Sequence, residues 1–432
     1  MRFCSYVAAI AAAAALCGTA LAQDIAPIAP PAGAANAAPA ELLPALISHS
    51  RRLARIENGR LVGEGGDFLR ALGARAQFVM IGEDHGNAGI AEFATAYWAD
   101  LNAAGFNYAA VESDPWVARG LERELRAGGV EGWTAFLAPR GGAVGAPFFS
   151  WAPEARWADA IVRGARRGRT ETLWGLDQVF LGAAPWLLRE IATQARSSAA
   201  RTMAGQFAEE ARGDLNWLGR VDSARLTALR AALADRRDAP HARLVDAMIE
   251  SRAIYGPFSG AGGEANLAND ARERLMRRLF LEHYQRAERA DGAAPRVMLK
   301  FGASHAYRGA STTWVQGLGG FVSEFAAARG AETLTVLALC GPGSFTASYQ
   351  GPPTRCEEAQ YARDWAFITP HLDPNAISVF DLRAWRLRPR RWAHLPAEVQ
   401  RAIGSFDVLV FMPASPASEW LPGLAAPAIP GN

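Results

Sequence analysis

The sequence predicts an α/β protein with a central, mostly parallel sheet flanked by helices and an inserted helical cap subdomain. Two observations lead to this fold class. Short continuous apolar runs, typical of buried parallel strands, alternate with amphipathic stretches in strand–helix–strand order. Residues 181–290, in contrast, contain no convincing strand and are dominated by alanine, leucine and arginine. We interpret this stretch as the helical insertion.

The other predicted elements follow in chain order. Strands are predicted at residues 77–81, 106–111, 171–176, 297–301, 334–339, 377–382 and 406–411. Helical spacing covers residues 41–72, 86–104, 122–136, 157–166 and 264–286. A glycine-rich loop at 139–149 is long enough to serve as a lid or a binding loop.

The ends of the chain differ in composition from the middle. Arg2, an apolar stretch and Ala20-Leu21-Ala22 form a secretory signal pattern, so residues 1–22 are expected to be a signal peptide cleaved after Ala22. Residues 23–40 are interpreted as an Ala/Pro-rich linker, residues 41–412 as the α/β domain, and residues 413–432 as a disordered tail. No transmembrane segment is predicted, and we expect a periplasmic or secreted protein.

Cysteine usage fits export. Cleavage would remove Cys4 and Cys17 and leave Cys340 and Cys356. In an oxidising compartment this pair favours a disulfide, with two buried thiols as the alternative. The formal net charge of +2, without a dominant basic block, argues against a nucleic-acid partner.

Positive charge in this chain is carried almost entirely by arginine. Of the 45 basic residues only Lys300 is a lysine, and it lies five positions before His305. A lysine is a compact charge whose pKa shifts easily, unlike the planar guanidinium. A chemical requirement for this ammonium and the chance survival of one lysine are both open interpretations.

Four apolar runs end in ionisable residues: Glu83 with His85, then Glu112, Asp177 and His305. Both histidines close a Gly-x-x-His turn. Because open α/β sheets bind ligands at the carboxyl ends of their strands, we expect these side chains to share one site. One such ending is more often a cap or a turn, but four together predict a catalytic site.

Hydrolysis would use these residue types well. Histidine can act as base or acid near neutral pH, a carboxylate such as Glu83 or Glu112 can fix its tautomer, and Lys300 or an arginine can stabilise an oxyanion. No Gly-x-Ser-x-Gly elbow is present, which favours activated water over a covalent nucleophile. His85, His305 and Glu112 are also candidate ligands for zinc, manganese or iron, and the sequence leaves a metal open.

Short motifs stand in a fixed order along the chain: Ile81-Gly82-Glu83-Asp84-His85-Gly86, Val111-Glu112-Ser113, Trp174-Gly175-Leu176-Asp177-Gln178, Arg272-Glu273-Arg274-Leu275-Met276, Gly302-Ala303-Ser304-His305 and Phe406-Asp407-Val408-Leu409-Val410-Phe411. In this order the chain resembles the erythromycin esterase-like proteins, within the wider group of Tiki/TraB proteases and ChaN-like haem-binding lipoproteins. The resemblance spans roughly residues 78 to 411.

The resemblance implies roles for five residues. Glu83 and His85 would activate water, Glu112 and His305 would complete the site, and Arg272 would steady an anionic or polarised oxygen. One residue separates Glu83 from His85, where the esterases have two. This spacing is closer to the Tiki/TraB group, whose members are thought to use a divalent metal, so macrolides are not implied as substrates.

Together these features predict a secreted hydrolase acting on an ester, lactone or amide in a small-molecule or peptide-like substrate. Asp177, Lys300 and Tyr307 are expected to bind substrate. Either no cofactor or a divalent metal is expected. The alternatives are a haem- or iron-binding protein with a histidine or Tyr307 as axial ligand, and a degenerate member with a structural or partner role.

Overall fold

The computed structural model describes residues 39–165, 169–260, 263–349, 351–386, 392 and 394–424. The expected signal peptide and nearly all of the expected linker lie outside these residues. The last two residues of that linker already belong to the first helix, which begins at Pro39.

Within the described residues the structure confirms the α/β fold class, with a main sheet of nine strands in the order β2-β1-β10-β11-β7-β3-β6-β4-β5 and a small ribbon of β8 and β9. Neighbouring strands from β11 to β5 are all parallel, whereas β10 and the hairpin beyond it add antiparallel pairs at one edge. The strands are β1 (Arg51–Glu57), β2 (Arg60–Val62), β3 (Phe78–Glu83), β4 (Tyr108–Val111), β5 (Leu173–Gly175), β6 (Val297–Gly302), β7 (Thr333–Leu339), β8 (Phe345–Thr346), β9 (Thr354–Arg355), β10 (Ile377–Asp381) and β11 (Val408–Phe411).

Helices cover both faces of the sheet, and those between β5 and β6 form the predicted cap. Outside the cap the helices are α1 (Pro39–Ser50), α2 (Glu64–Arg75), α3 (Ala88–Ala103), α4 (Pro115–Leu137), α5 (Ala152–Gly164), α12 (Ala303–Ala306), α13 (Leu318–Ala328), α14 (Gln360–Asp364), α15 (Arg383–Arg386) and α16 (Ala397–Ser405). The cap helices are α6 (Ala184–Gln194), α7 (Ser198–Ala211), α8 (Trp217–Arg220), α9 (Ser223–Ala232), α10 (Ala239–Tyr255) and α11 (Ala265–Asp291).

The central strand β3 is buried along its whole length. Its side chains alternate between two apolar clusters, with Val79 and Ile81 in one and Phe78 and Met80 in the other. Burying one such side chain stabilises the fold by roughly 1.5–3 kcal/mol. Burial on both faces fixes the strand register, which pairs the end of β3 with the end of β6.

The first part of the domain differs from the sequence prediction. Helical spacing predicts a helix across residues 41–72, but β1 and β2 form a hairpin there between α1 and α2. Asn58 and Gly59 both have positive φ, 51° and 71°, which suits the Asn-Gly turn of a two-residue hairpin. The strands lie at the sheet edge and carry several exposed charged side chains, so their apolar pattern is weak.

The predicted disordered tail is wrong for residues 413–424. Ala417 bridges to Asn87 and Trp420 bridges to Trp151, which joins this segment to the body of the domain. Leu421 is buried, and the Trp420 ring packs against Trp151. The Pro/Ala-rich composition hides these aromatic and apolar anchors; residues 425–432 lie outside the described part of the chain.

Cys340 follows β7 directly and forms a disulfide with Cys356, with a Cα–Cα distance of 6.2 Å. The bond closes a loop with a sequence separation of 16 residues, which contains β8 and β9. Among the described residues, no helix is both long and apolar enough to cross a membrane.

Replacing both cysteines (Cys340→Ser/Cys356→Ser) should lower the free energy of unfolding by roughly 3 kcal/mol, because the unfolded chain regains the freedom of an open loop. Urea unfolding followed by tryptophan fluorescence measures this change. Reductant should destabilise the wild type by a similar amount and leave the double variant unaffected. Equal stability of wild type and variant would contradict a stabilising disulfide.

Candidate active site

The turn after β3 carries the first two candidate residues. Glu83 is the last residue of β3 and is buried, and His85 lies in the turn that follows. Gly86 has φ 84°, and a Cβ there would lie 2.7 Å from the Ala347 carbonyl oxygen. The turn therefore requires glycine for its conformation and for its close contact with the disulfide loop, where the Ala347 N–H donates to the Gly86 carbonyl at 2.8 Å.

Neighbouring strand ends deliver the other candidates to the same place. Glu112 follows β4, Asp177 is the second residue after β5, and His305 lies in the short helix after β6. Because β3, β6, β4 and β5 are adjacent and parallel, their carboxyl ends meet at one edge of the sheet. The parallel order thus brings residues far apart in sequence within hydrogen-bonding distance.

Glu112 lies between the two histidines. Its Oε2 atom is 3.2 Å from His85 Nε2, and its Oε1 atom is 3.4 Å from His305 Nε2. The backbone N–H of Gly302 donates to Oε2 at 2.7 Å and fixes the carboxylate. One buried carboxylate therefore bridges the Nε2 edges of both imidazole rings.

A second carboxylate holds the far side of each ring. Glu83 Oε1 is 2.9 Å from His85 Nδ1, and Glu273 Oε1 is 2.6 Å from His305 Nδ1. The Leu318 N–H donates to the other oxygen of Glu273 at 2.8 Å. Such partners fix the orientation of a histidine ring. Sequence reasoning missed Glu273, although it stands next to Arg272 within one of the motifs.

Arg272 on α11 connects two acidic strand ends. Its Nη2 atom donates to Glu112 Oε1 at 2.8 Å and to Asp177 Oδ2 at 2.5 Å, and its Nε donates to Asp177 Oδ1 at 2.9 Å. Both carboxylate oxygens of Asp177 are thus paired with Arg272. Asp177 therefore lies behind the site.

Lys300 is also behind the site. Its Nζ donates to Glu83 Oε1 at 2.6 Å and to both oxygens of Glu154 at 2.9 Å, and its side chain is 3% exposed. These three contacts use all three N–H donors, and Lys300 does not line the adjoining cavity. Lys300 was expected to bind substrate, but it contacts Glu83 instead, the carboxylate that holds His85. Nothing in the sequence singles out Glu154, which lies on α5.

The histidines are strongly basic in this setting. Burial by itself lowers the pKa of His85, but the charges of Glu112 and Glu83 outweigh it and raise the pKa to about 10. For His305, burial again lowers the pKa, and the larger combined effect of Glu112 and Glu273 raises it to about 9. Burial favours the neutral acid of Glu112, yet the two histidines hold its pKa well below the usual range. At neutral pH the site is therefore an array of charges.

Phe148 covers one face of His85. The two rings stack with centroids 4.1 Å apart, and Phe148 has φ 58°, an unfavourable conformation for a bulky side chain. Its N–H donates to the Tyr349 hydroxyl at 2.6 Å. The glycine-rich loop and the disulfide loop thus meet over His85. In the sequence, only the length of the glycine-rich loop indicates such a cover.

A cavity of about 560 Å³ adjoins the histidines. His85 and His305 both line it, and their side chains are 27% and 11% exposed. Tyr307 lines the same cavity and packs edge-on against Phe406. Of the candidates, Glu83 and Glu112 also reach the cavity, whereas Asp177 and Arg272 do not.

The candidate metal ligands are close together but poorly placed for an ion. Among the described residues, no three His, Cys, Asp or Glu side chains form a group that could hold a metal. Glu112 occupies the space between the two Nε2 atoms, and Arg272 places a fixed positive charge against it. The donor set therefore does not fit a divalent cation.

Comparison with known proteins identifies the fold of the chain. No protein-family model matches the chain, and no curated protein does either. A mutant of the erythromycin esterase EreC in its open conformation is similar in structure, with 14% identity, a TM-score of 0.55, and coverage of 85% of this chain and 98% of that chain.

Two further solved structures are similar over most of their length. A succinoglycan biosynthesis protein has 12% identity and a TM-score of 0.54, covering 87% of this chain and 97% of its own. A protein from Bacillus cereus has 13% identity and a TM-score of 0.51, covering 85% and 96%. At such identities the likeness shows the fold alone. The chain has an erythromycin esterase-like fold, which confirms the predicted resemblance at the level of the fold.

The raised histidine pKa values predict how stability depends on pH. Because both pKa values exceed about 6.5, the value for an unfolded chain, the stabilisation is complete below about pH 6.5. It is lost as the pH rises through about 9 to 10. We expect the free energy of unfolding to fall by about 1 kcal/mol or more between about pH 7 and 10. Urea unfolding across this range should show a flatter profile for His85→Gln/His305→Gln; equal slopes would exclude the histidines as the source.

A side chain at Gly302 should disturb the contact between His85 and Glu112. A Cβ there would lie 2.7 Å from His85 Nε2 and 3.4 Å from Glu112 Oε2, although its φ of −52° suits alanine. Gly302→Ala should displace the ring from Glu112 and lower the pKa of His85 by about one unit or more, measured by NMR titration of ¹³C-labelled histidines. Gly404→Ala, where a Cβ would have nothing within 4 Å, is the matched control. An unchanged His85 pKa in Gly302→Ala would contradict this geometry.

Proposed function

We propose that the protein is a hydrolase that cleaves an ester, lactone or amide with water activated at His85. One observation carries this proposal: two histidines that share a carboxylate also line a single cavity. Glu83 and Glu273 hold the two Nδ1 atoms, so proton transfer falls to the two Nε2 atoms, each of which exchanges its contact with Glu112 for one with water or the leaving group.

In the proposed reaction the neutral form of His85 accepts a proton from water at Nε2, and the water oxygen attacks the substrate carbonyl carbon. The negative charge that develops on the carbonyl oxygen would be stabilised by protonated His305, because Arg272 lies behind Glu112 and does not line the cavity. His305, protonated, donates its Nε2 proton to the leaving oxygen or nitrogen as the carbon–heteroatom bond breaks.

Carboxylates support both steps. Glu83 and Glu112 stabilise the positive charge that His85 acquires, and Glu273 does the same for the acid form of His305. We propose that no metal ion takes part, because Arg272 and the histidines already compensate the charge of Glu112. The substrate is a small molecule or a peptide-like chain whose reacting part fits a cavity of about 560 Å³.

We also propose that the protein is exported. The disulfide between Cys340 and Cys356 supports an oxidising compartment. The signal pattern in residues 1–22 points the same way. The proposed activity is therefore periplasmic or secreted.

Removal of either histidine tests the proposal. With p-nitrophenyl acetate and butyrate as probes, His85→Ala and His305→Ala should each lower kcat/KM by ~10²-fold or more, because proton transfer is lost. His49→Ala is the matched control, since His49 is exposed on α1. Full activity in both site variants would exclude the two-histidine site.

The pH profile of kcat/KM offers a separate test. His85 must be neutral and His305 protonated, so the free enzyme should show an alkaline optimum between about 9 and 10. Glu83→Gln removes a negative charge from His85, lowers its pKa and should move the optimum to lower pH. Initial rates corrected for spontaneous hydrolysis measure both profiles. A rising limb near pH 6 in the wild type would contradict this electrostatic account.

Chelation and haem titration address the other readings. Hydrolysis should survive prolonged treatment with EDTA, because the proposed steps use only side chains and water. Haem should produce no Soret band that depends on a site histidine. Loss of activity on chelation would favour a metal, and a Soret band abolished by His85→Ala would favour haem binding.

A further inference from the structure

The buried ammonium of Lys300 has no place in the proposed reaction. Its side chain points from the middle of β6, where Lys300 pairs in register with Ile81 on β3 and Val111 on β4. It contacts Glu83 and Glu154 and lies 5.2 Å above the Trp157 ring. Substrate in the cavity would not meet it.

The geometry of this cluster suits lysine and no other side chain. Three acceptor oxygens, one from Glu83 and two from Glu154, surround Nζ at 2.6 to 2.9 Å. A compact ammonium with three N–H donors matches that arrangement, whereas a planar guanidinium would spread its donors over a wider fork. Of the residues that are lysine or arginine, all the others in the chain are arginine. The single exception therefore occurs where a point charge is required.

The link from Lys300 to the site is one oxygen atom. Glu83 Oε1 accepts from Lys300 Nζ at 2.6 Å and contacts His85 Nδ1 at 2.9 Å. Burial opposes the ionisation of Glu83, but the charge of Lys300 contributes most to lowering its pKa. The pKa of Glu154, in contrast, is raised by burial.

We propose that Lys300 is a positioning residue for His85: it holds Glu83 in place and shares its charge, and so sets the orientation and proton affinity of the imidazole ring. This inference rests on the proposed function, because it assigns His85 the reactive role. Besides Lys300, the charged groups that face His85 are Glu83, Asp84, Glu112 and Glu154. A merely structural ammonium would only neutralise the two buried glutamates.

A charge-neutral double variant separates these roles. Lys300→Met alone would leave two buried carboxylates uncompensated and could prevent folding. Lys300→Met/Glu154→Gln removes one charge of each sign and keeps Glu83 on His85. The matched control is Asp381→Asn/Arg383→Met, which removes an ion pair with two contacts of 2.8 Å between the buried end of β10 and the partly exposed first residue of α15. Urea unfolding verifies that both double variants are folded.

For a positioning residue, kcat for p-nitrophenyl butyrate should fall by about tenfold or more while KM stays within about twofold. The optimum of the pH profile should move to higher pH, because Glu83 then acts on His85 without sharing its charge. The control variant should retain the wild-type kcat, KM and profile. Wild-type kinetics in a folded Lys300→Met/Glu154→Gln protein would overturn the proposal, and so would a rise in KM with unchanged kcat.

An NMR titration makes the result independent of turnover. The ¹³Cε1 resonance of His85, assigned by its absence in His85→Asn, should titrate at higher pH in Lys300→Met/Glu154→Gln than in the wild type. An unchanged midpoint would overturn the role of Lys300. If the midpoint shifts but the wild type hydrolyses no ester, the electrostatic link holds and the proposed function fails.

Discussion

The whole site is held together by one chain of buried, hydrogen-bonded side chains whose charges alternate in sign. The chain starts at Glu154, passes through Lys300, Glu83, His85 and Glu112, and branches to His305 and Arg272, which end on Glu273 and Asp177. No member could be buried alone, since an unpaired charge in the interior costs several kcal/mol. Each charged side chain is stable because it contacts at least one group of opposite sign. Two of the ends, Glu154 on α5 and Glu273 on α11, lie on helices, so the sheet and its covering layers are held together by the same contacts.

Backbone topology makes this chain of charges possible. Four parallel strands deposit Glu83, Lys300, Glu112 and Asp177 at or near one edge of the sheet, and α11 supplies Arg272 and Glu273 from the cap side. Register fixes relative height, because Glu83 pairs with Gly302 across β3 and β6. The solved structures with this fold share only 12–14% identity with the chain. The arrangement of strands and helices is thus preserved far beyond the similarity of the sequences.

The sequence predicts the central part of this arrangement and misses its surroundings, for physical reasons. Strand ends such as Glu83 and Glu112 are predictable, because an apolar run followed by a carboxylate marks the carboxyl edge of a parallel sheet. Glu154 and Glu273 sit on helices among many exposed acids, and only the tertiary fold distinguishes the buried ones. The stacking of Phe148 on His85 depends on a loop conformation with positive φ, for which a phenylalanine gives no warning. The missed β1–β2 hairpin is different, since Asn58-Gly59 was a readable signal.

One structural feature bears on the time at which the site becomes complete. The turn that carries His85 is held by the segment after β11: the Ser418 N–H donates to the Gly86 carbonyl, and the Ala88 N–H donates to that of Pro416. Ser415 and Asn87 also share a hydrogen bond across a separation of 328 positions. During synthesis, both histidines leave the ribosome well before these restraints do. A growing chain therefore carries His85 for a long interval without the support that orients it, and the proposed activity should arise only after residues 415–418 have joined the fold.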